Sequence, residues 1–451
     1  MKVGLILRDY GIVVMGSYMS EKLREEVQNE ELRLVFYVTL EWLEIRMSGY
    51  PPRPAGIKEN SLVSFISMST MFKILIILCL GVGAFGRGAS KPKLTEAKEC
   101  DQEACELPDC LCASSSPPAG LQPSEIPQFV FFTFDDAINP INYKYYEEAF
   151  SNRINSNKCP ISATFFITHE YTDYSYVHNL AAHGHEIAMH SITHQTPTSY
   201  WANLDVDGNK REFADQVELV SHFANIPSSS VKGIRSPFLQ LSGDNSFQMI
   251  KENGLTYDCS WPTLQYVKSG LFPYTLDYRS PQDCPIAPCP TSSIPGVWVV
   301  PMVDWIDGKG EGCAMVDSCQ DLPTILDDLL EFIKTNFNRH YMGTRSPFGF
   351  YVHASWFDSS PIHFEAYKKF LDYLGGIDDV FVVSIQTALE WMKNPVNTSD
   401  YLNRPCNPVI ENECTRPLSC KLMKGEEERY MTVCSGSCPN VYPWLDNPLG
   451  N

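Results

Sequence analysis

The chain has 451 residues, 44% of them hydrophobic, and a formal net charge of -19. That is ample for a large core and suggests two or three domains at most, or one barrel with extensions. The acidity argues against a nucleic-acid partner, because phosphate binding needs clustered Lys and Arg, and it fits a soluble surface or a cationic or neutral substrate.

Residues 1–70 have mixed charge and no motif that can be used. Residues 71–86 read Met71-Phe72-Lys73, an apolar core from Ile74 to Leu80, and then small residues with an Ala84-x-Gly86 cleavage pattern. This is the layout of a secretory signal, and its core is too short to span a bilayer as a stable helix. Signals begin chains, so Met71 is the expected start and 1–70 an upstream extension or a gene-model artefact. The alternative is a genuine N-terminal region with a membrane anchor. Of sixteen cysteines, Cys79 lies in the signal and fifteen follow, clustered at 100–112, 284–319 and 406–438. In a secreted chain this reads as a disulfide framework with one thiol left over, since no C-x-x-C repeat suggests a zinc ribbon.

A cysteine-containing extension covers 87–126, and a Pro/Ser-rich linker, Ser114 to Pro127, precedes the barrel. From 127 to 395 short apolar runs alternate with amphipathic stretches. The runs are Val130–Phe134, Ala163–Thr168, Glu186–His190, Val231–Arg235, Leu255–Asp258, Val297–Val303, Gly349–His353 and Val380–Ile385. Helical patterns cover Glu212 to Phe223, Leu322 to Phe337 and Phe364 to Leu374. Strand–helix alternation predicts an α/β fold with a parallel sheet, and seven or eight strands fit a (β/α) barrel, distorted or incomplete. The remainder, 396–451, is expected to be an irregular, cysteine-rich tail packed on the barrel. Asn397-Thr398-Ser399 is a glycosylation acceptor.

Polar residues end several of these runs: Asp135 and Asp136 the first, His190 the third, Arg235 the fourth, Asp258 the fifth and His353 the seventh. The C-terminal ends of parallel strands form the active face of such folds, so these groups are predicted to converge on one rim. Two adjacent carboxylates repel, and a cation held by one leaves the other free as a base. His190-x-x-x-His194 offers two imidazoles, which with Asp136 make a two-His, one-carboxylate set for a divalent ion such as zinc, with positions left open for water and substrate. Taken alone this spacing is weak evidence. Ser191 stands where a zinc peptidase of the His-Glu-x-x-His type carries its Glu, so the base must lie elsewhere and Asp135 is at hand. Water activated between Asp135 and the ion would attack a carbonyl, His353 would protonate the leaving group, and Arg235 would hold Asp135 ionised. In isolation, the reading to prefer is a surface ion pair for Arg235 and a satisfied core histidine for His353.

Thr133-Phe134-Asp135-Asp136, His190-Ser191-x-x-His194, Arg235-x-Pro237-Phe238, Asp258-x-x-Trp261 and Tyr351-Val352-His353 together resemble, in order, the five motifs of the NodB-type polysaccharide deacetylases. The last departs from the usual Leu-x-His, which is expected to change a pocket wall and leave the acid in place. Cys105-x4-Cys110-x-Cys112, Cys313 to Cys319, Asn338-Arg339-His340-Tyr341 and Tyr442-Pro443-Trp444-Leu445 are similar to insect chitin deacetylases. The resemblance covers roughly 98–448. It implies a secreted, zinc-dependent enzyme that removes acetyl groups from N-acetylglucosamine units of chitin or chitin oligomers. In it Asp135 is the base, His353 the acid, Asp136, His190 and His194 the zinc ligands, and Arg235 the residue that positions Asp135. Trp261, Asp258 and Phe238 are implied at the substrate, although Trp261 could equally be a core aromatic.

Residues 87–125, with four cysteines, are too few for the chitin-binding module and receptor-like repeat that many relatives carry. A catalytic-domain-only monomer acting on soluble or loosened chitin is the expectation. Relatives usually carry Ser at the position of Cys259, which makes it the candidate unpaired thiol, inert and buried. His169, His183 and His185 read as structural. The rival reading is a catalytically weak chitin-binding matrix protein. A glycosidase is disfavoured because adjacent carboxylates on one loop do not easily flank a glycosidic bond.

Overall fold

The computed structural model describes residues 3–7, 12–16, 94–407, 412–434 and 436–451. The expected signal at 71–86 lies outside the described residues. Val3–Leu7 and Ile12–Gly16 pair antiparallel within a first unit, Met1–Lys91. The second unit, Pro92–Asn451, carries the site.

Its centre is a nine-stranded sheet. The strands are β1 (Gln128–Asp135), β2 (Thr164–Ile167), β3 (Glu186–Met189), β4 (Gly233–Ile234), β5 (Tyr257–Asp258), β6 (Tyr274–Thr275), β7 (Trp298–Val299), β8 (Phe348–His353) and β9 (Val380–Val382). Their order is β8-β1-β2-β3-β4-β5-β7-β6, and β9 also pairs with β1. Every pairing is parallel except β7 with β6. This is a distorted (β/α) barrel. The antiparallel β6 is the strand that the sequence did not announce.

β1 sets the frame. Its register joins Gln128–Val130 to β9 and Thr133–Asp135 to β2, while Val130–Asp135 run beside β8. Side chains alternate along a strand. Val130, Phe132 and Phe134 enter the core beneath the helices. Phe129 and Phe131 face a second core with Phe166, Tyr257, Trp298 and Tyr351. Both faces are therefore buried, which is why the strand reads as a continuous apolar run. Each buried Phe contributes about 1.5–3 kcal/mol relative to exposure. By the same alternation Thr133 and Asp135 share the side of Phe129 and Phe131, at the top of the inner core.

The helical patterns appear as Asp215–Phe223, extended backwards by a wide turn at Lys210–Ala214, and as Leu326–Tyr341 and Pro361–Gly375. Shorter helices over Pro140–Phe150, Tyr174–Ala182, Asp244–Glu252 and Ile385–Lys393 complete the outer layer. The first opens on Asn139, whose Oδ1 accepts the Ile141 and Asn142 N–H groups, and on Pro140 in the first turn. Among the described residues no helix is long and apolar enough to cross a membrane.

The tail departs from the expected irregular segment. β10 (Leu418–Lys424) and β11 (Glu427–Val433) form an antiparallel hairpin, closed by Cys414–Cys434 and Cys420–Cys438. Cys159–Cys406 ties the tail to the loop before β2. Arg429 and Lys424 reach Glu170, and His169 Nε2 lies 3.0 Å from the Pro443 carbonyl oxygen. The tail thus grips the loop after β2. That loop holds the loop after β1 through Asp173 N–H to Ile138 O and Ile138 N–H to Thr172 Oγ1. Seven disulfides form among the described residues, and Cys259 is free and buried.

Candidate active site

The two carboxylates at the end of β1 meet different surroundings. Asp135 is the last strand residue and is buried. Asp136 follows with φ +81°, its N–H donating to Phe166 O, and its side chain is 47% exposed. The left-handed turn throws Asp136 outward while strand alternation sends Asp135 inward. Asp is among the few residues that take this conformation at modest cost.

Arg235, directly after β4, reaches Asp135 and is fully buried. Its Nη1 donates to Asp135 Oδ1 at 2.6 Å and to Thr133 Oγ1 at 2.8 Å. Its Nε donates to Cys259 O at 2.7 Å and its Nη2 to Cys259 Sγ at 3.1 Å. Burial alone would raise the Asp135 pKa, but the Arg235 charge beside it holds it below the usual carboxylate value. Asp135 is therefore an ionised carboxylate inside the protein.

Asp136, His190 and His194 present ligand atoms within 4.8 Å of one another. His194 Nε2 lies 3.6 Å from Asp136 Oδ1, and His190 Nε2 3.9 Å from the same oxygen. His190 Nδ1 lies 2.8 Å from the Arg235 carbonyl oxygen, which can only accept. That fixes the proton on Nδ1 and leaves Nε2 free as a donor of electrons to a metal. Burial also lowers the His190 pKa and keeps the ring neutral, as a ligand must be. Two imidazoles and one carboxylate, two of the three groups partly open to solvent, suit a divalent cation with open positions. His190 and His194 sit on a loop, not on one helical face, because the chain turns at Ser191 and His194, both at positive φ. Ser191 Oγ closes that turn by accepting the His194 N–H.

His353, the last residue of β8, stands opposite its register partner Asp135. Its Nε2 lies 3.9 Å from Asp136 Oδ2. Its Nδ1 lies 2.6 Å from Asp317 Oδ2, a partner that the sequence reading missed. Asp317 sits in the turn Val316–Ser318, inside the Cys313–Cys319 loop. Burial would lower the His353 pKa, but the hydrogen bond with Asp317 and the charges of Asp135, Asp317 and Asp136 raise it to about 9. Once a cation engages Asp136, Asp317 is left as the main nearby support for that proton besides Asp135.

The residues expected at the substrate divide. Phe238, 41% exposed, packs its ring 4.9 Å from that of His194 and borders the opening. Asp258 and Trp261 are both buried and present nothing to solvent. Asp258 Oδ2 accepts from Ser260 Oγ, which in turn accepts the Ser236 N–H, so Asp258 braces the turn after Arg235. The Trp261 indole N–H donates to Asp283 O. Tyr351 likewise does not wall an open pocket; it is buried beneath Arg235. His169, His183 and His185 lie apart from the site. His169 is held by Tyr174 and Pro443, His183 pairs with Glu413, and His185 Nδ1 accepts from Ala163 N–H. Asn397 caps a short helix at Thr398–Tyr401, outside the site.

A polysaccharide deacetylase family model matches residues 124–257, the stretch that carries Asp135, Asp136, His190, His194 and Arg235. Chitin deacetylase 8 of Bombyx mori is 46% identical over 384 residues, spanning 84% of this chain and all of that protein. Chitin deacetylase 1 of the same organism is 37% identical over 377 residues, 79% of this chain and 69% of that protein. A solved family 4 acetyl xylan esterase from Clostridium thermocellum aligns with TM-score 0.36 and 15% identity, covering 60% of this chain and 95% of that one. The chain belongs to the polysaccharide deacetylase family, among its chitin deacetylases.

Proposed function

We propose that the protein is a secreted zinc-dependent deacetylase that hydrolyses the N-acetyl group of N-acetylglucosamine units in chitin or chitin oligomers. The observation that carries this reading is a buried, ionised base, Asp135, between an Asp/His/His cation set and a protonated histidine. Asp136, His190 and His194 would hold the zinc ion, which when bound polarises a carbonyl and acidifies water. Asp135 takes a proton from the attacking water as its oxygen bonds to the acetyl carbon. His353 gives its proton to the amide nitrogen as the C–N bond breaks, so acetate and a glucosamine unit leave. Arg235 keeps Asp135 charged and fixed. Asp136, His194 and His353, at 47%, 30% and 32% exposure, reach solvent, as groups that meet a polymeric substrate must. A glycan at Asn397 fits the secreted reading and would sit clear of the rim.

The alternative, a chitin-binding matrix protein without activity, has no missing site residue to support it. Acetate release from N-acetylglucosamine oligomers of graded length decides between them. The deacetylase reading expects release that stops with chelator and returns with zinc; no release from zinc-loaded protein at any length would favour the matrix protein.

Asp317 gives a second expected result. Asp317→Asn removes the charge that helps keep His353 protonated. The alkaline limb of kcat should then fall by about one pH unit or more, with activity in mildly acidic solution largely kept. An unmoved alkaline limb would mean that Asp317 does not support the acid.

A further inference from the structure

Arg235 is a full positive charge with no solvent contact, and its hydrogen bonds account only for the edge of its guanidinium plane. One of these acceptors is a thiol sulfur, which is weak. The faces of the plane meet aromatic rings. The guanidinium carbon lies 4.1 Å from the centre of Phe166 and 5.0 Å from that of Tyr351. The two rings come from β2 and β8, the strands on either side of β1. We infer that Tyr351, together with Phe166, is a positioning residue for the base: the rings hold the Arg235 guanidinium in place, and through it Asp135.

The surroundings of Tyr351 fit this role. Its hydroxyl donates to Pro301 O at 3.4 Å, and its ring lies over Gly349. A Cβ at Gly349 would stand 2.0 Å from Tyr351 Cζ, so glycine two residues earlier makes the room that the ring occupies. Tyr351 is also the register partner of Thr133, which shares Arg235 Nη1 with Asp135. Ring faces attract guanidinium most strongly where water is excluded, as it is here. Leucine, the usual residue two before the acid in the related motif, would fill this space without that attraction. The aromatic residue is thus read as part of the base's support.

The inference rests on the deacetylase reading for its kinetic consequence but not for its structural one. Tyr351→Leu, Phe166→Leu and Tyr351→Phe are compared with the parent protein. Each leucine variant should lower kcat about tenfold with KM within about twofold, at unchanged zinc content, while Tyr351→Phe, which keeps the ring, stays within about twofold of the parent. Crystal structures of the leucine variants read the same effect without activity: Arg235 Nη1 should leave its 2.6 Å contact with Asp135 Oδ1. If Tyr351→Leu does not fold, Phe166→Leu probes the same guanidinium from the other strand. A folded leucine variant that keeps the contact and the parent kcat overturns the inference, as does a Tyr351→Phe variant impaired as severely as Tyr351→Leu. An inactive parent protein would instead count against the deacetylase reading, and the crystallographic contact would still decide this one.

Discussion

Asp136→Asn should remove tight zinc binding and acetate release together while leaving the fold intact. The substitution is nearly isosteric, and Asn tolerates the left-handed backbone that Asp136 adopts at φ +81°. Its side chain is half exposed, so no buried partner is orphaned. What is lost is the only carboxylate among the three proposed ligands, whose donor atoms lie within 4.8 Å of one another. Disturbing a group that merely orients a ligand costs about 10–100-fold in metal affinity or activity, so removal of a ligand itself should cost more than about 100-fold. Zinc content after dialysis, turnover on N-acetylglucosamine oligomers and the thermal midpoint test this together. A variant that retains one zinc per chain and parent turnover would refute the assigned ligand set.

Asp135→Asn should behave in the opposite way, keeping zinc but losing both turnover and stability. A positioned general base contributes about 10²–10⁴-fold, and an amide cannot accept the proton. The stability loss comes from Arg235. Among the described residues Asp135 is the only carboxylate paired with it, at 2.6 Å, and neither side chain has appreciable solvent contact. A buried pair broken on one side leaves an uncompensated charge, at a cost of about 3–5 kcal/mol. Denaturant midpoints of the zinc-free proteins should therefore fall for Asp135→Asn and hardly move for Asp136→Asn. The double variant Asp135→Asn with Arg235→Met should recover much of the stability and none of the activity, because the stranded charge goes with its partner. If Asp135→Asn retained parent turnover, the base would have to be sought elsewhere.

Much of this site was legible because parallel strands deliver their C-terminal residues to one rim. Asp135, Asp136, His190, Arg235 and His353 could be gathered from runs more than 200 residues apart on that rule alone. The motifs did not say which way a side chain faces. Asp258 and Trp261 share a motif with the site yet turn inward, and Tyr351 supports Arg235 where a pocket wall was expected. Asp317 escaped because it lies in a short disulfide loop, where no strand or helix period marks its direction. The C-terminal hairpin did leave a signal. Cys420 and Leu422 alternate toward the core, as do Met431 and Val433, on either side of Gly425 at φ +62°. Dense charge and four cysteines masked that alternation.

The pairing of β9 with the start of β1 has a consequence for how the chain is made. During synthesis Phe129 to Phe134 emerge first, as a flat, apolar, strand-forming segment. Their partner on one edge, Phe348–His353, and the partner of the strand's first residues on the other, Val380–Val382, follow more than 200 residues later. At about 5–20 residues per second, the edge that β8 covers stays open for roughly ten seconds or longer, a template to which other nascent chains can add. Holding that segment apart from its neighbours until the last strand arrives is a demand on the chaperones of whichever compartment folds this protein. Yields of recombinant protein should follow that capacity more closely than they follow the stability of the finished barrel.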